Sequence, residues 1–116
     1  MAEPLYYLLD LKDDAALIAR YKAWHAPGAV PPAINASIRA AGIEALEILL
    51  VGNRMLMVLT PGPDFDLAKK AAADAASAEV QAWETLMWGF QQALPFAQPG
   101  EKWVAMERIY ALSEQP

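Results

Sequence analysis

Cysteine is absent from this chain of 116 residues, and histidine occurs once, at His25. The first absence excludes disulfides, thiolate nucleophiles and thiolate metal sites. The second excludes zinc sites built from several imidazoles. Basic residues are outnumbered, with 9 Lys and Arg against 14 Asp and Glu and a net charge of −5. Nucleic-acid binding needs Lys/Arg patches facing phosphates and is not expected. No apolar run approaches the ~18 residues of a bilayer span, so no membrane partner is expected either. Also missing are EF-hand spacing, a phosphate loop, a Gly-x-Ser-x-Gly elbow and a dinucleotide fingerprint. These gaps point to no metal and no cofactor. The opening stretch MAEPLYYLLDLK has no basic n-region, and Asp10 and Lys12 cut its apolar run short. It does not read as a signal peptide, and a cytoplasmic location is the expectation.

Apolar side chains, by contrast, are abundant at 56%. The length suits a single domain, 1–116, with one core. A core of that size cannot hide so much apolar surface, so a buried subunit interface is expected.

The pattern along the chain alternates between strand and helix. Leu5–Leu11 reads as a buried strand, followed by Asp13 and Asp14 as helix starters. In Asp13–His25, Leu17, Ile18, Tyr21, Trp24 and His25 form one stripe, while Lys12, Arg20 and Lys22 take the solvent side. Pro27-Gly28 stops that helix. Pro31-Pro32 opens a short second one, Ala33–Ala41, ended by Gly42. Ile43–Val51 and Arg54–Thr60 flank Gly52-Asn53, a two-residue hairpin signal. Pro61-Gly62-Pro63 breaks the chain. Asp64 or Asp66 starts an alanine-rich helix, interrupted near Asp74–Ser77. A longer helix, Glu79–Leu94, carries Val80, Trp83, Met87 and Phe90 on one side. A loop and a last strand, Trp103–Leu112, complete the order. The expectation is an α+β, ferredoxin-like βαββαβ fold with a four-stranded antiparallel sheet. Helices would cover one face, and the bare face would pair with a second copy in a dimeric α+β barrel.

Proton transfer or plain binding is the chemistry left. His25 faces the protein, one turn beyond Tyr21 and beside Trp24. An imidazole titrates near neutrality and can both give and take a proton. The bland alternative is a ring that packs at a helix end and bonds a carbonyl. Tyr21 can share a ligand with it or belong to the core. Trp83 and Trp88 offer core packing or flat platforms for the C–H face of a sugar. Among the strand charges Asp10, Glu44, Glu47, Glu107 and Arg108, any carboxylate that is buried needs a partner. Glu47 is the candidate base.

Several of these residues together resemble a known family. Tyr21-Lys-Ala-Trp-His25-Ala-Pro27, Gly42 before Ile43–Val51, Trp83, and Met106-Glu-Arg-Ile-Tyr110 are similar to the L-rhamnose mutarotase family over nearly the whole chain. The resemblance implies a homodimeric α+β barrel joined through the sheet face. It also implies cofactor-free interconversion of the α and β anomers of a 6-deoxyhexose. His25 would occupy the proton-donor position and Tyr21 that of a sugar-contacting tyrosine. A second sugar-contacting tyrosine of the family falls at Leu46 here, and the sugar's methyl group would meet that region. Where the family has adjacent tryptophans, Trp83 is followed by Glu84. The tail from Trp83 onward resembles the branch linked to L-fucose use. Dimeric α+β barrels also include heme-handling, ligand-sensing and other non-catalytic proteins, which form the alternative.

Overall fold

The computed structural model describes residues 3–116. Strand β1 (Leu5–Leu11) is followed by helices α1 (Ala15–Trp24) and α2 (Pro32–Ala40). Strands β2 (Ile43–Val51) and β3 (Arg54–Pro61) form the hairpin around Gly52. Helices α3 (Leu67–Ala76) and α4 (Ala78–Trp88) come next, then the short strands β4 (Gln91–Gln92) and β5 (Val104–Ala105). The antiparallel sheet runs β2-β3-β1-β4, with β5 also on β1. That is the ferredoxin-like strand order, with its last position divided between two short strands.

Local chemistry sets the helix boundaries. Asp14, Asp66 and Ser77 are the N-caps of α1, α3 and α4, each accepting from a backbone N–H three residues on. Ser77 also ends α3, so one hydroxyl marks the break in the alanine-rich stretch. Gly42 takes φ +85 after α2, the left-handed turn that glycine adopts without strain.

Two expected elements differ from what the structure shows. The last helix stops at Trp88 rather than Leu94. Beyond Gly89 the backbone turns to β1: Phe90 O accepts from Lys12 N at 2.9 Å, and Gln91 pairs with Leu11. Tertiary pairing thus overrides the helical spacing of Phe90. The last strand is two residues long instead of Trp103–Leu112. It pairs with Tyr7 and Leu8, and Met106 N donates to Tyr6 O at 2.8 Å. Strand β1 begins at Leu5, so the segment beyond Met106 soon runs out of own-chain backbone to pair with.

The core gathers Leu9, Leu11, Tyr21, Met55, Met87 and Phe90 between the sheet and the helices. On the opposite sheet face, Leu8, Leu56 and Leu49 form one cross-strand row, and Tyr6, Val58 and Glu47 the next. Leu49 is 52% exposed and Val51 79%. Asp10, buried on this face, accepts from Arg54 Nε at 2.7 Å and Nη2 at 3.0 Å.

At the entrance to α3, Gly62 N donates to Gly42 O at 2.8 Å, and a Cβ on Gly62 would lie 2.7 Å from that oxygen. The obstructing atom is a backbone oxygen held by that hydrogen bond, and Glu44 Cγ would lie at 3.2 Å, so there is little room to yield. Gly62→Ala is therefore expected to cost about 1–3 kcal/mol, the usual penalty of overpacking. Thermal melting should show a Tm roughly 5–10 °C lower; an unchanged Tm would disprove the close approach.

Candidate active site

Between the sheet and the helices lies a cavity of about 730 Å³, within the range of small-molecule sites. Tyr7, Leu46, Ile48, Met57 and Leu59 form its sheet wall. Tyr21 and His25 reach it from the end of α1, and Trp83 and Glu84 from α4. Lys70 and Asp74 of α3 lie on the far wall and bond each other at 2.8 and 2.9 Å.

The end of α1 explains the position of His25. The helix stops at Trp24, and His25 N bends to Lys22 O at 3.1 Å. The Tyr21 carbonyl, which another helical turn would have used, is bonded by His25 Nδ1 at 2.7 Å. A carbonyl only accepts, so Nδ1 carries the hydrogen and donates. That leaves Nε2 unengaged: a lone pair on the neutral ring, an N–H on the cation. The ring stacks on Tyr21 with centroids 4.3 Å apart, and the Trp83 ring lies at 5.6 Å. Packing on two sides restricts how the imidazole can turn.

Tyr21 is buried at 4% exposure, and its hydroxyl accepts from Gln91 Nε2 at 3.1 Å. Burial pushes the phenol above its ordinary value of 10.0, opposed in part by the Gln91 hydrogen bond. Tyr21 is thus a neutral hydrogen-bond donor through the physiological range.

The structure gathers His25, Tyr21, Trp83 and Leu46 on one cavity. It separates two other candidates. Glu47 is exposed and does not line the cavity. The alternation that turns Leu46 and Ile48 inward turns Glu47 to the opposite face, so it is no candidate base for this cavity. Trp88 is 39% exposed and borders a separate depression, with Lys102 Nζ 5.3 Å from its ring centroid. Five residues past Trp83, it points about 140° away around the helix. Of the other strand charges, Asp10 is held by Arg54, while Arg108 bonds Glu114 at 3.0 Å and Glu3 at 3.4 Å.

Glu84 and Gln91 are among the cavity residues that escaped the sequence pattern. Glu84 lies four residues after Val80 and three before Met87, so it shares their inward stripe. A carboxylate inside an apolar stripe was the available signal. Gln91 was hidden inside the overlong helix, although Gly89 is the kind of residue that ends one.

A raised phenol pKa has a stability consequence. Such a group adds stability below its unfolded value, which is lost as pH rises through the folded value. Above pH 10, the Tm of the native chain should fall more steeply than that of Tyr21→Phe. Parallel curves for the two proteins would rule out the buried, protonated phenol.

Residues 5–112 match the family model described as L-rhamnose mutarotase. An L-fucose mutarotase of Xanthomonas campestris pv. campestris is 56% identical over 110 residues, covering 95% of this chain and 88% of that one. A UPF0734 protein of Dictyostelium discoideum is 32% identical over 108 residues, covering 90% and 85% respectively. The crystal structure of an L-rhamnose mutarotase from Formosa agariphila superposes with a TM-score of 0.67 at 16% identity, over 96% of this chain and 99% of that one. That last likeness concerns the fold. With the family pattern spanning nearly every residue and a relative of high identity beside it, this chain belongs to the L-rhamnose mutarotase family.

Proposed function

We propose that this chain is a cofactor-independent aldose mutarotase, interconverting the α and β anomers of a 6-deoxyhexose, with L-fucose as its sugar. One observation carries the proposal. A single imidazole lines the cavity with its Nδ1 tied to the Tyr21 carbonyl, leaving Nε2 for proton transfer. The similarity to an L-fucose mutarotase supports the choice of sugar. Leu46, where the resemblance places a tyrosine, gives an apolar wall to the methyl carbon that any 6-deoxyhexose carries.

Mutarotation breaks and remakes one bond. His25 Nε2–H delivers a proton to the ring oxygen as the C1–O5 bond opens. Glu84, directly or through a water, takes the proton of the anomeric hydroxyl, and C1 becomes an aldehyde carbon. Rotation about C1–C2 presents the other carbonyl face. The O5 hydroxyl then attacks C1, returning its proton to His25, while the aldehyde oxygen regains one from Glu84. Atoms and charge balance over the cycle. Asp74 is engaged by Lys70. Glu84 has no side-chain bond among the described residues, which favours it for this role. Tyr21 orients a sugar hydroxyl, and Trp83 stacks on the C–H face.

The working unit is proposed to be a cytoplasmic homodimer of single ferredoxin-like domains joined through the sheet face. The apolar rows around Leu8, Leu49 and Leu56 support this. So do the exposed Ile109, Tyr110 and Leu112 near the chain end. No helix among the described residues is long and apolar enough to cross a membrane.

Saturation-transfer NMR on the anomeric protons of L-fucose measures the exchange directly. His25→Ala is expected to lower the enzymatic rate ~10²–10⁴-fold, the usual contribution of a positioned acid or base, while leaving the melting transition cooperative. Glu84→Gln should lower it within the same range. An unchanged rate in His25→Ala would reject the mechanism. Sedimentation equilibrium should give twice the chain mass for the native protein and a shift toward monomer for Leu49→Asp. A native monomer would end the dimer proposal.

A further inference from the structure

Gln91 is 6% exposed yet forms part of the cavity wall. Its backbone is pinned on both sides, through the pairing of Gln91 with Leu11 and the bond from Lys12 N to Phe90 O. A buried amide is costly unless its hydrogen bonds are used. Here Nε2 donates to the Tyr21 hydroxyl oxygen at 3.1 Å.

The direction of that bond has a consequence. An amide N–H cannot accept, so the phenol oxygen accepts and its own O–H must point elsewhere. The hydroxyl makes no other bond to a described residue, and Tyr21 borders the cavity. The amide oxygen of Gln91 likewise has no side-chain or backbone donor among the described residues, and no buried polar side-chain atom is left without a partner. That oxygen is therefore accessible, in a residue that lines the cavity. We propose that Gln91 is a sugar-positioning residue. It commits the Tyr21 hydroxyl to donate into the cavity and presents its own carbonyl oxygen as an acceptor beside it. Together they form a donor–acceptor pair matched to adjacent hydroxyls of a monosaccharide. The inference rests on the mutarotase reading of the site.

An isosteric reversal of the amide tests it. Gln91→Glu keeps the size and the link to Tyr21, but a carboxylate only accepts. The phenolic O–H would turn to it and away from the cavity. At neutral pH the KM for L-fucose in the anomer-exchange assay should rise on the order of 10-fold, the worth of one or two hydrogen bonds. The value of kcat should change less. Tryptophan-fluorescence titration with L-fucose should show the same loss of affinity. Tyr21→Phe should lose a similar amount, and adding Gln91→Glu to it should cost little more. Lowering the pH far enough to protonate the new carboxyl restores a donor toward the phenol and should restore the affinity read by tryptophan fluorescence, compared with the native protein at the same pH, a readout that does not require Glu84 to be ionised. A merely structural amide would give no such recovery.

Thermal melting checks that the variant folds. If it does not, Gln91→Asn, too short to reach Tyr21, replaces it with the same expected rise in KM. A KM that stays unchanged from neutral pH to pH 9, where the new carboxyl is ionised, would overturn the proposal, as would a loss of affinity that no pH reverses. If the native protein neither binds L-fucose nor speeds its anomer exchange, the mutarotase reading itself fails and the proposal falls with it.

Discussion

The bond from the His25 ring to the Tyr21 carbonyl, at 2.7 Å, holds the site together. Every α-helix leaves carbonyls unused in its last turn. Here the helix stops at Trp24, the following N–H turns back to Lys22, and the carbonyl of Tyr21 is left over. The side chain of the cap residue takes it. One contact thus completes the end of α1, fixes the hydrogen on Nδ1 and leaves Nε2 free for the proposed proton transfer. The packing interpretation of a lone histidine and the functional one describe the same hydrogen bond.

A cavity beside that ring requires something not to fill it. The core crowds toward the far end of β1, where Leu9, Leu11, Met55, Met87 and Phe90 meet. Over the rest of the sheet the covering elements are α2 and α3, each packed against α4. Helix α3 is largely alanine, and none of its residues is buried. From α3 the cavity is lined by Leu67, Lys70, Ala71 and Asp74, and Lys70 and Asp74 bond each other rather than the sheet.

Much of the architecture was legible because it rests on local rules. The Gly52-Asn53 turn, helix starts narrowed to Asp13 or Asp14 and to Asp64 or Asp66, and the stop at Pro27-Gly28 follow from backbone chemistry over a few residues; the structure chose Asp14 and Asp66. Tyr21 and His25 were legible for a related reason, since helical spacing puts them on one stripe. Leu46 came from the resemblance instead. Glu47 shows the limit of spacing: strand alternation says it opposes Leu46, but not which of the two faces the helices. Trp88 shows another, because an aromatic residue stays ambiguous until its helix is rotated against a neighbour. Gln91 was obscured by competition, its helical environment losing to a strand edge contributed by Leu11.

Capping side chains, turn residues and the 2.0 and 3.6 periodicities determined the elements and much of their order. They also placed the imidazole at a helix end facing inward. Their reach is a few residues, so they need no knowledge of the rest of the chain. Tertiary structure alone decided which sheet face bears the helices, where α4 yields to β4, and how the Tyr21 hydroxyl is oriented by an amide seventy positions away. Those outcomes come from distant groups competing for the same volume and the same hydrogen-bond partners. That competition is settled only once the chain has closed on itself.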